Sequence, residues 1–337
     1  MKTKPTISDI AKAAGVSNTT VSFVLNNKEG ISQETRQKVL DVIKETNYKP
    51  TMNSRRLYFQ KSFTIAVMFD TDTYRTDNLF YLDITGSLLR QCAAYNYSLV
   101  YSEYSCSNNT VTLPDNVLDK DVDGLIFLKD LPLALISKLQ SLDIPFVVAD
   151  AHSEYDTLYT VKVDYRLAAY NATQYLIQQG HKNIGFVGSM RVTSFYAQVF
   201  SGYQKALREH GLPLELAWCF EKIQDRDTTE QYIGQLLNEK HRPTALLCME
   251  DILGVELIRF LHKSKVDVPE DISVIAIDDV VLSNLIFPSL TTVAISKEQI
   301  GCHAVDILMD LINGKPTSSQ VVTANNIVVR ESVKKLK

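Results

Sequence analysis

A chain of 337 residues is too long for one ordinary hydrophobic core and long enough for a small domain joined to a larger one. Its 45% apolar and 22% charged residues describe a soluble globular protein; no apolar run reaches the ~18 residues of a membrane helix, and the opening MKTKPTISDI lacks the apolar stretch of a secretory signal, so a cytoplasmic protein with no membrane partner is expected. The net charge of −4 divides unevenly: residues 1–61 hold 11 Lys/Arg against 5 Asp/Glu, a net +6, and the remainder carries −10. A basic segment on an acidic body suggests that only the first part meets a polyanion, although a solvated basic face would give the same count.

In chain order, Thr6-Ile-Ser-Asp9 reads as a capping box, with Asp9 in the Glu/Gln place. Ile7, Ile10, Ala11 and Ala14 follow at helical spacing. Gly15 ends that helix, and Val16 is an apolar plug. Ser17 caps a second helix from Asn18 to about Leu25, with Val21, Val24 and Leu25 inward and Asn18, Thr19, Ser22 and Phe23 outward. After a loop containing Gly30, Ser32 caps a third helix to about Thr46, with Val39, Leu40 and Ile43 inward. Two short helices around a glycine turn, completed by a third, form a helix-turn-helix arrangement; the alternative is a small helical protein-interaction module. In the first reading the second helix reads DNA: Asn bonds adenine bidentately, Thr meets a thymine methyl, and Ser holds phosphate.

Beyond Lys61 short β-rich runs alternate with helical periods. The predicted strands are Thr64–Phe69, Ser98–Tyr101, Gly124–Leu128, Pro145–Ala149, Lys182–Val187, Thr244–Cys248 and Ser273–Ile277. The predicted helices include Leu131–Ser141, Tyr165–Gln179, Gln198–His210, Ile252–Ser264 and Lys297–Ile312. This alternation predicts an α/β body of parallel, doubly wound sheets in two lobes, with a ligand cleft at the strand C-termini.

The run T-I-S-D-I-A-K-A-A-G-V-S-N-T-T-V-S-F-V-L-N, followed by S-Q-E-T-R-Q-K-V-L and N-Y-K-P, resembles the headpiece of the LacI/GalR family of bacterial repressors. The resemblance implies that Asn18, Thr19 and Phe23 occupy base-reading positions. Ser17, Thr20 and Ser22 fall where the family holds phosphates or caps the helix, and Thr6 and Asn26 complete the DNA-facing set. The third reading position, usually Arg, is Phe23 here. Phe cannot donate to guanine; it packs on a thymine methyl or fills space near the backbone, so a non-standard operator is expected. After Pro50, T-M-N-S-R-R-L resembles the family's hinge helix. Leu57 stands at the minor-groove wedge, with Arg55 and Arg56 placed to neutralise phosphates. Two wedges meeting at the centre of a palindromic operator on double-stranded DNA imply a homodimer.

V-D-G-L-I-F, I-P-F-V-V-A-D, V-K-V-D, Q-G-H-K-N-I-G-F-V-G, D-I-S-V-I-A-I-D-D and P-S-L-T-T-V extend the resemblance to the family's periplasmic-binding-protein-like effector domain. It implies a helix-turn-helix domain at 1–50, a hinge at 51–61 and an effector-binding domain at 62–337. The lobes are expected at ~62–161 plus ~291–322 and at ~162–290 plus ~323–337. Carried over residue by residue, Phe80 and Tyr81 floor the effector site, and Asp150 and Asp278 supply carboxylates that suit a sugar's hydroxyls. Either carboxylate alone could be a loop cap or an ion-pair partner. Val199 replaces an Arg of the family, Glu250 an Asn, and Arg226 an aromatic lid. Arg226 and Glu250 either pair with each other or read a ligand unlike a neutral sugar. Arg191 and Phe195 lie on a loop that lines the site in the family.

Enzymatic signatures are missing: no G-x-S-x-G, no G-x-x-x-x-G-K-[ST] and no G-x-G-x-x-G after a strand. The six histidines show no H-x-x-x-H pair, and the five cysteines no C-x-x-C, so neither a metal nor another cofactor is expected. Asp121-Val-Asp123-Gly124 lacks the later ligands of a calcium loop. A carbohydrate-sensing repressor is therefore favoured over an extracytoplasmic sugar-binding protein, which needs a signal peptide and no headpiece, and over an α/β enzyme.

Overall fold

The computed structural model describes residues 5–25, 30–46, 56, 61–70, 78–107, 110–188, 193–220, 234, 242–324 and 326–336. The chain divides into two compact units, Met1–Phe63 and Thr64–Lys337.

In the first unit, α1 (Ile7–Ala14) opens on the predicted capping box: Thr6 N–H donates to Asp9 Oδ2 at 2.8 Å, and Asp9 N–H to Thr6 Oγ1 at 3.3 Å. Gly15 ends it at φ +65°, a conformation glycine adopts without Cβ strain. Ser17 caps α2 (Asn18–Leu25) by accepting from Thr20 N–H at 3.1 Å. Ser32 caps α3 (Gln33–Thr46) by accepting from Thr35 N–H at 3.2 Å. Each such cap contributes about 1 kcal/mol, a large share of the stability of so small a core. That core is Ile10, Ala11, Ala14, Val21, Val24 and Val39, flanked by Ile7, Val16, Leu25, Ile31, Val42 and Ile43.

Two sequence expectations fail here. Leu40 points outward, 42% exposed, and Val42 takes its place beside the core. A helix turns about 100° per residue, which puts Val39, Val42 and Ile43 on one face and Leu40 off it. Ser22, expected outward, is 3% exposed. It lies on the flank of α2 next to Leu25, and its short side chain is covered there.

In the second unit the described strands form two sheets. The first contains β1 (Thr64–Asp70), β2 (Ser98–Ser107), β3 (Thr110–Thr112), β4 (Gly124–Leu128), β5 (Phe146–Ala149), β6 (Thr160–Val163) and a late strand, Gln320–Val322. Their order is Gln320–Val322, β6, β5, β4, β1, β2, β3. The second contains β7 (Ile184–Val187), β8 (Cys219–Phe220), β9 (Ala245–Cys248), β10 (Ser273–Asp278) and β11 (Thr291–Ala294), joined by Asn326–Val328, in the order Asn326–Val328, β11, β10, β9, β7, β8. Pairing is parallel within both sheets except for β2 with β3 and β11 with Asn326–Val328, which are antiparallel edges. The sheets are thus mixed where fully parallel ones were expected.

The helices that follow the strands are α4 (Leu79–Ala94), α5 (Asp115–Leu118), α6 (Leu133–Leu142), α7 (Tyr165–Gln178), α8 (Thr193–Glu209), α9 (Asp251–Lys263), α10 (Leu282–Leu285) and α11 (Lys297–Ile312). α11 packs on α4 and on β4, β5 and β6, while α7 packs on α8 and on β9, β10 and β11. Glycine permits both helix pairs. A Cβ on Gly202 of α8 would lie 2.1 Å from the Arg166 carbonyl oxygen, and one on Gly301 of α11 would lie 2.6 Å from Ser87. The chain passes between the lobes after β6, after β11 and after Gln320–Val322. The second passage differs from expectation. Thr291–Ala294 is hydrogen-bonded to β10 inside the second sheet, so it belongs to that lobe and not to the first.

Candidate functional site

The DNA-facing residues of the first unit cluster at the start of α2. Asn18 and Thr19 are exposed, Thr20 and Phe23 half-buried. Ser17 Oγ lies 3.0 Å from Thr20 Oγ1, so both hydroxyls also order the first turn of the helix. Thr6 is exposed but already bonded to Asp9. Ser22, placed by the resemblance among the phosphate-holding or helix-capping positions, is buried. Arg56 is exposed, and its Nε donates to the Ser62 carbonyl at 2.9 Å. Asn26, Arg55 and Leu57 lie outside the described residues.

In the second unit the chemistry gathers where strands run into helices. Lys129 follows β4, Asp150 follows β5, Glu250 follows β9, and Asp278 ends β10. Phe80 and Tyr81 occupy the first turn of α4, Tyr165 opens α7, Phe195 sits early in α8, and Lys297 opens α11. Side-chain caps fix three of those turns: Asn78 Oδ1 accepts from Phe80 and Tyr81 N–H, Asp164 from Leu167 N–H, and Ser296 from Gln299 N–H. Lys129, Asp150, Asp278 and Asp279 hold φ values of +72°, +56°, +127° and +57°. Left-handed backbone outside glycine costs on the order of 1–3 kcal/mol per residue, and here it is concentrated where strands β4, β5 and β10 end.

Asp150 is the hub, only 1% exposed. Its Oδ2 accepts from Tyr81 Oη at 2.8 Å and its Oδ1 from Tyr165 Oη at 2.9 Å, so one carboxylate ties α4 to α7 across the lobes. Burial first, then Asp150, push both phenols well above the usual tyrosine range. His152 lies beside it, 6% exposed, with Nε2 3.3 Å from Asp150 Oδ2. That distance permits charge attraction, yet neither ring nitrogen meets hydrogen-bond geometry with any partner. Burial opposes the imidazolium, but Asp150 and then Asp130 outweigh it and raise the ring's pKa. The ring stacks on Phe195 at 4.9 Å between centroids. Gln198 Nε2 donates to the His152 carbonyl at 2.7 Å, and Ser194 Oγ to Asp130 Oδ2 at 3.1 Å, so α8 grips the opposite lobe at two further points.

On the second lobe's wall, Asp278 is 8% exposed. Burial first, then the Asp251 and Glu250 carboxylates, push its carboxyl well above the usual range, which favours the protonated form. Its neighbour Asp279 is committed elsewhere, accepting from Arg330 Nη2 at 2.5 Å. Asp251 is an internal staple: it accepts from Val280 N–H at 2.9 Å and from the Ser283 and Thr292 hydroxyls at 2.5 Å each. Lys297 Nζ donates to the Asp278 and Asp279 carbonyls and stands 5.7 Å from the Phe80 ring centre. Lys129 Nζ stands 4.8 Å over the Tyr81 ring, and burial lowers its pKa.

The structure therefore gathers Phe80, Tyr81, Asp150, Phe195, Glu250 and Asp278 at the strand ends; Arg191 and Arg226 lie outside the described residues. Asp150, expected to face a ligand's hydroxyls, is engaged by protein hydroxyls instead. Lys129, His152, Tyr165 and Lys297 were not identified from the sequence. The available signal was their place one to three residues beyond a predicted strand or at the start of a predicted helix. The described residues hold no group of three or more His, Cys, Asp or Glu placed to share a metal ion, and no described helix is long and apolar enough to cross a membrane. Two surface hollows of about 460 Å³ and 830 Å³ lie elsewhere, beside Val255 and Phe287 and beside Tyr101 and Glu103.

Residues 6–51 match the family model of bacterial regulatory proteins of the lacI family, and residues 173–333 that of a periplasmic binding protein-like domain. Catabolite control protein A of Priestia megaterium is 31% identical over 333 residues, 98% of this chain and 99% of that one. The HTH-type transcriptional repressor PurR of Photobacterium profundum is 30% identical over 337 residues, again 98% and 99%. Among solved structures, the lac repressor dimer bound to operator and the anti-inducer ONPF superposes with a TM-score of 0.72 at 24% identity, covering 98% of this chain and 100% of that one. A transcriptional regulator CelR–cellobiose complex gives 0.69 at 24%, covering 97% and 99%. With matched relatives running from the capped headpiece through both lobes, the chain belongs to the LacI family and is a DNA-binding transcriptional repressor, not an enzyme.

Proposed function

We propose that the chain represses transcription as a cytoplasmic homodimer on a palindromic operator, under the control of a small carbohydrate-like effector held in the cleft between its lobes. The observation that carries the DNA half is the start of α2, where a serine cap leaves Asn18 and Thr19 exposed on a segment of net charge +6. Asn18 and Thr19 read base edges, Phe23 contacts a thymine methyl, and Arg55 and Leu57 engage the centre of the site. The lac repressor dimer on its operator supports the symmetric arrangement, and the cellobiose complex of CelR supports a carbohydrate in the cleft. Control follows from geometry. Tyr165, Ser194 and Gln198 bond across the lobes, so a ligand that touches both walls biases one lobe arrangement over another, and that bias is reciprocal with operator affinity.

Selection from randomised duplex DNA tests the reading. The wild type should enrich an inverted repeat, and Phe23→Arg should shift one symmetric position in each half-site toward guanine. Enrichment without two-fold symmetry contradicts the dimer, and an unchanged consensus in the variant removes Phe23 from base readout.

A further inference from the structure

Resting on the reading of the cleft as the effector site, we infer that its ligand carries an oxyanion, a carboxylate or a phosphate on a small polyol body, received by Lys129 and His152. His152 is nine-tenths buried between the lobes, and both of its ring nitrogens lack a hydrogen-bond partner. A buried polar group left unpaired is costly, and each one in a folded protein calls for an explanation, such as a bound ion or ligand that completes it. The ammonium of Lys129, close enough for its charge to act on the imidazole, has no carboxylate within 4 Å among the described residues. It rests on the face of Tyr81 at 4.8 Å.

Of the nearby acids, Asp150 attracts His152 Nε2 across 3.3 Å without meeting hydrogen-bond geometry, and the others are largely engaged elsewhere. Asp150 accepts from two tyrosine hydroxyls, Asp130 accepts from the His152 and Ser153 amides and the Ser153 and Ser194 hydroxyls, and Asp279 pairs with Arg330. The carboxyl of Asp278 makes no hydrogen bond among the described residues; its surroundings favour the protonated form, which donates to a ligand oxygen instead of repelling it. The imidazolium, favoured by Asp150 and Asp130 against its burial, has two donors, of which Nε2 meets only the charge of Asp150 at 3.3 Å and Nδ1 meets no acceptor. The cleft thus offers Lys129, His152 and Asp278 as donors, an arrangement suited to an acceptor-rich anion more than to a neutral sugar.

The test uses calorimetric titration of the full chain with three matched panels: glucose, galactose and mannose, their uronates, and their 6-phosphates. An acidic member should bind at least about tenfold more tightly than its neutral parent. Lys129→Met should bring the two within about threefold, while Lys129→Arg keeps the preference. The preference is a ratio, so a general loss of fold does not imitate its selective collapse. Whichever arm binds, uronate or phosphate, names the source of the oxyanion. Neutral hexoses binding as well as their acids, or an undiminished preference in Lys129→Met, overturns this inference and leaves the effector reading standing. Silence from every acid and every neutral sugar overturns both.

Discussion

Asp278 and Asp279 are adjacent in sequence, yet burial separates their roles. Asp279 has a cation, Arg330, at 2.5 Å, while Asp278 shares a dry wall with Asp251 and Glu250. The pair is visible in the sequence as I-D-D, but which carboxylate is pushed toward its protonated form depends on side chains far apart in the chain. The sign of its effect on stability follows. The folded pKa of Asp278 lies above the free value of 3.8, so its favourable contribution is complete below about pH 4 and is lost as pH rises through the folded pKa. Asn never ionises, so Asp278→Asn should melt higher than the wild type. The gap should be smallest near pH 4 and should grow to several degrees by pH 8. Melting curves across that range check it, and a gap that narrows as pH rises contradicts the assignment. His152 shows the limit of reading residues singly. A lone histidine beyond I-P-F-V-V-A-D carries no signal; its meaning comes from Phe195, 43 positions later, closing over its ring.

Among the elements, those with strong local signals were legible. The three headpiece helices begin at serine or threonine caps and were placed correctly, and Gly124–Leu128 and Lys297–Ile312 agree with expectation to the residue. The elements that escaped are short and depend on partners. Thr160–Val163 and Thr291–Ala294 are four-residue strands rich in threonine and valine, and they exist because neighbouring strands hold them in register. Missing Thr291–Ala294 as part of the second sheet is what displaced the lobe boundary. Leu40 is apolar yet exposed, because its angle on the helix, not its side chain, decides which face it takes. The close crossing of α7 and α8 was likewise invisible, since nothing local tells why Gly202 must be glycine. Gly202→Ala places a methyl 2.1 Å from the Arg166 carbonyl oxygen, which only separation of the two helices relieves. Overpacking of that kind costs about 1–3 kcal/mol. Thermal unfolding should fall by several degrees, at roughly 2–4 °C per kcal/mol. An unchanged melting temperature would show the crossing to be looser than described.

For the whole molecule, the uneven charge is the most direct clue to how the two units divide the work. A segment of net +6 attracts a polyanion and a body of net −10 repels it, which favours the proposed contact of DNA with the first 61 residues. The acidic body holds the cleft, where Asp150 and the α8 contacts join the lobes. The fold class and the family were legible because the headpiece pattern is local and ungapped. The cleft was legible only in part, because its donors and the acid pushed toward its protonated form are products of tertiary burial.

The measurement that bears most directly on the account is the salt dependence of binding by the full chain to its selected operator, followed by fluorescence anisotropy. Release of counterions by Lys and Arg predicts a linear fall of log affinity with log salt, with a loss of roughly three to five orders of magnitude between 50 and 200 mM for six to ten phosphate contacts. At a fixed salt concentration the selected palindrome should also be held more tightly than unrelated duplex. A flat salt response, or equal affinity for both duplexes, would contradict the claim that this chain represses transcription by reading a specific operator.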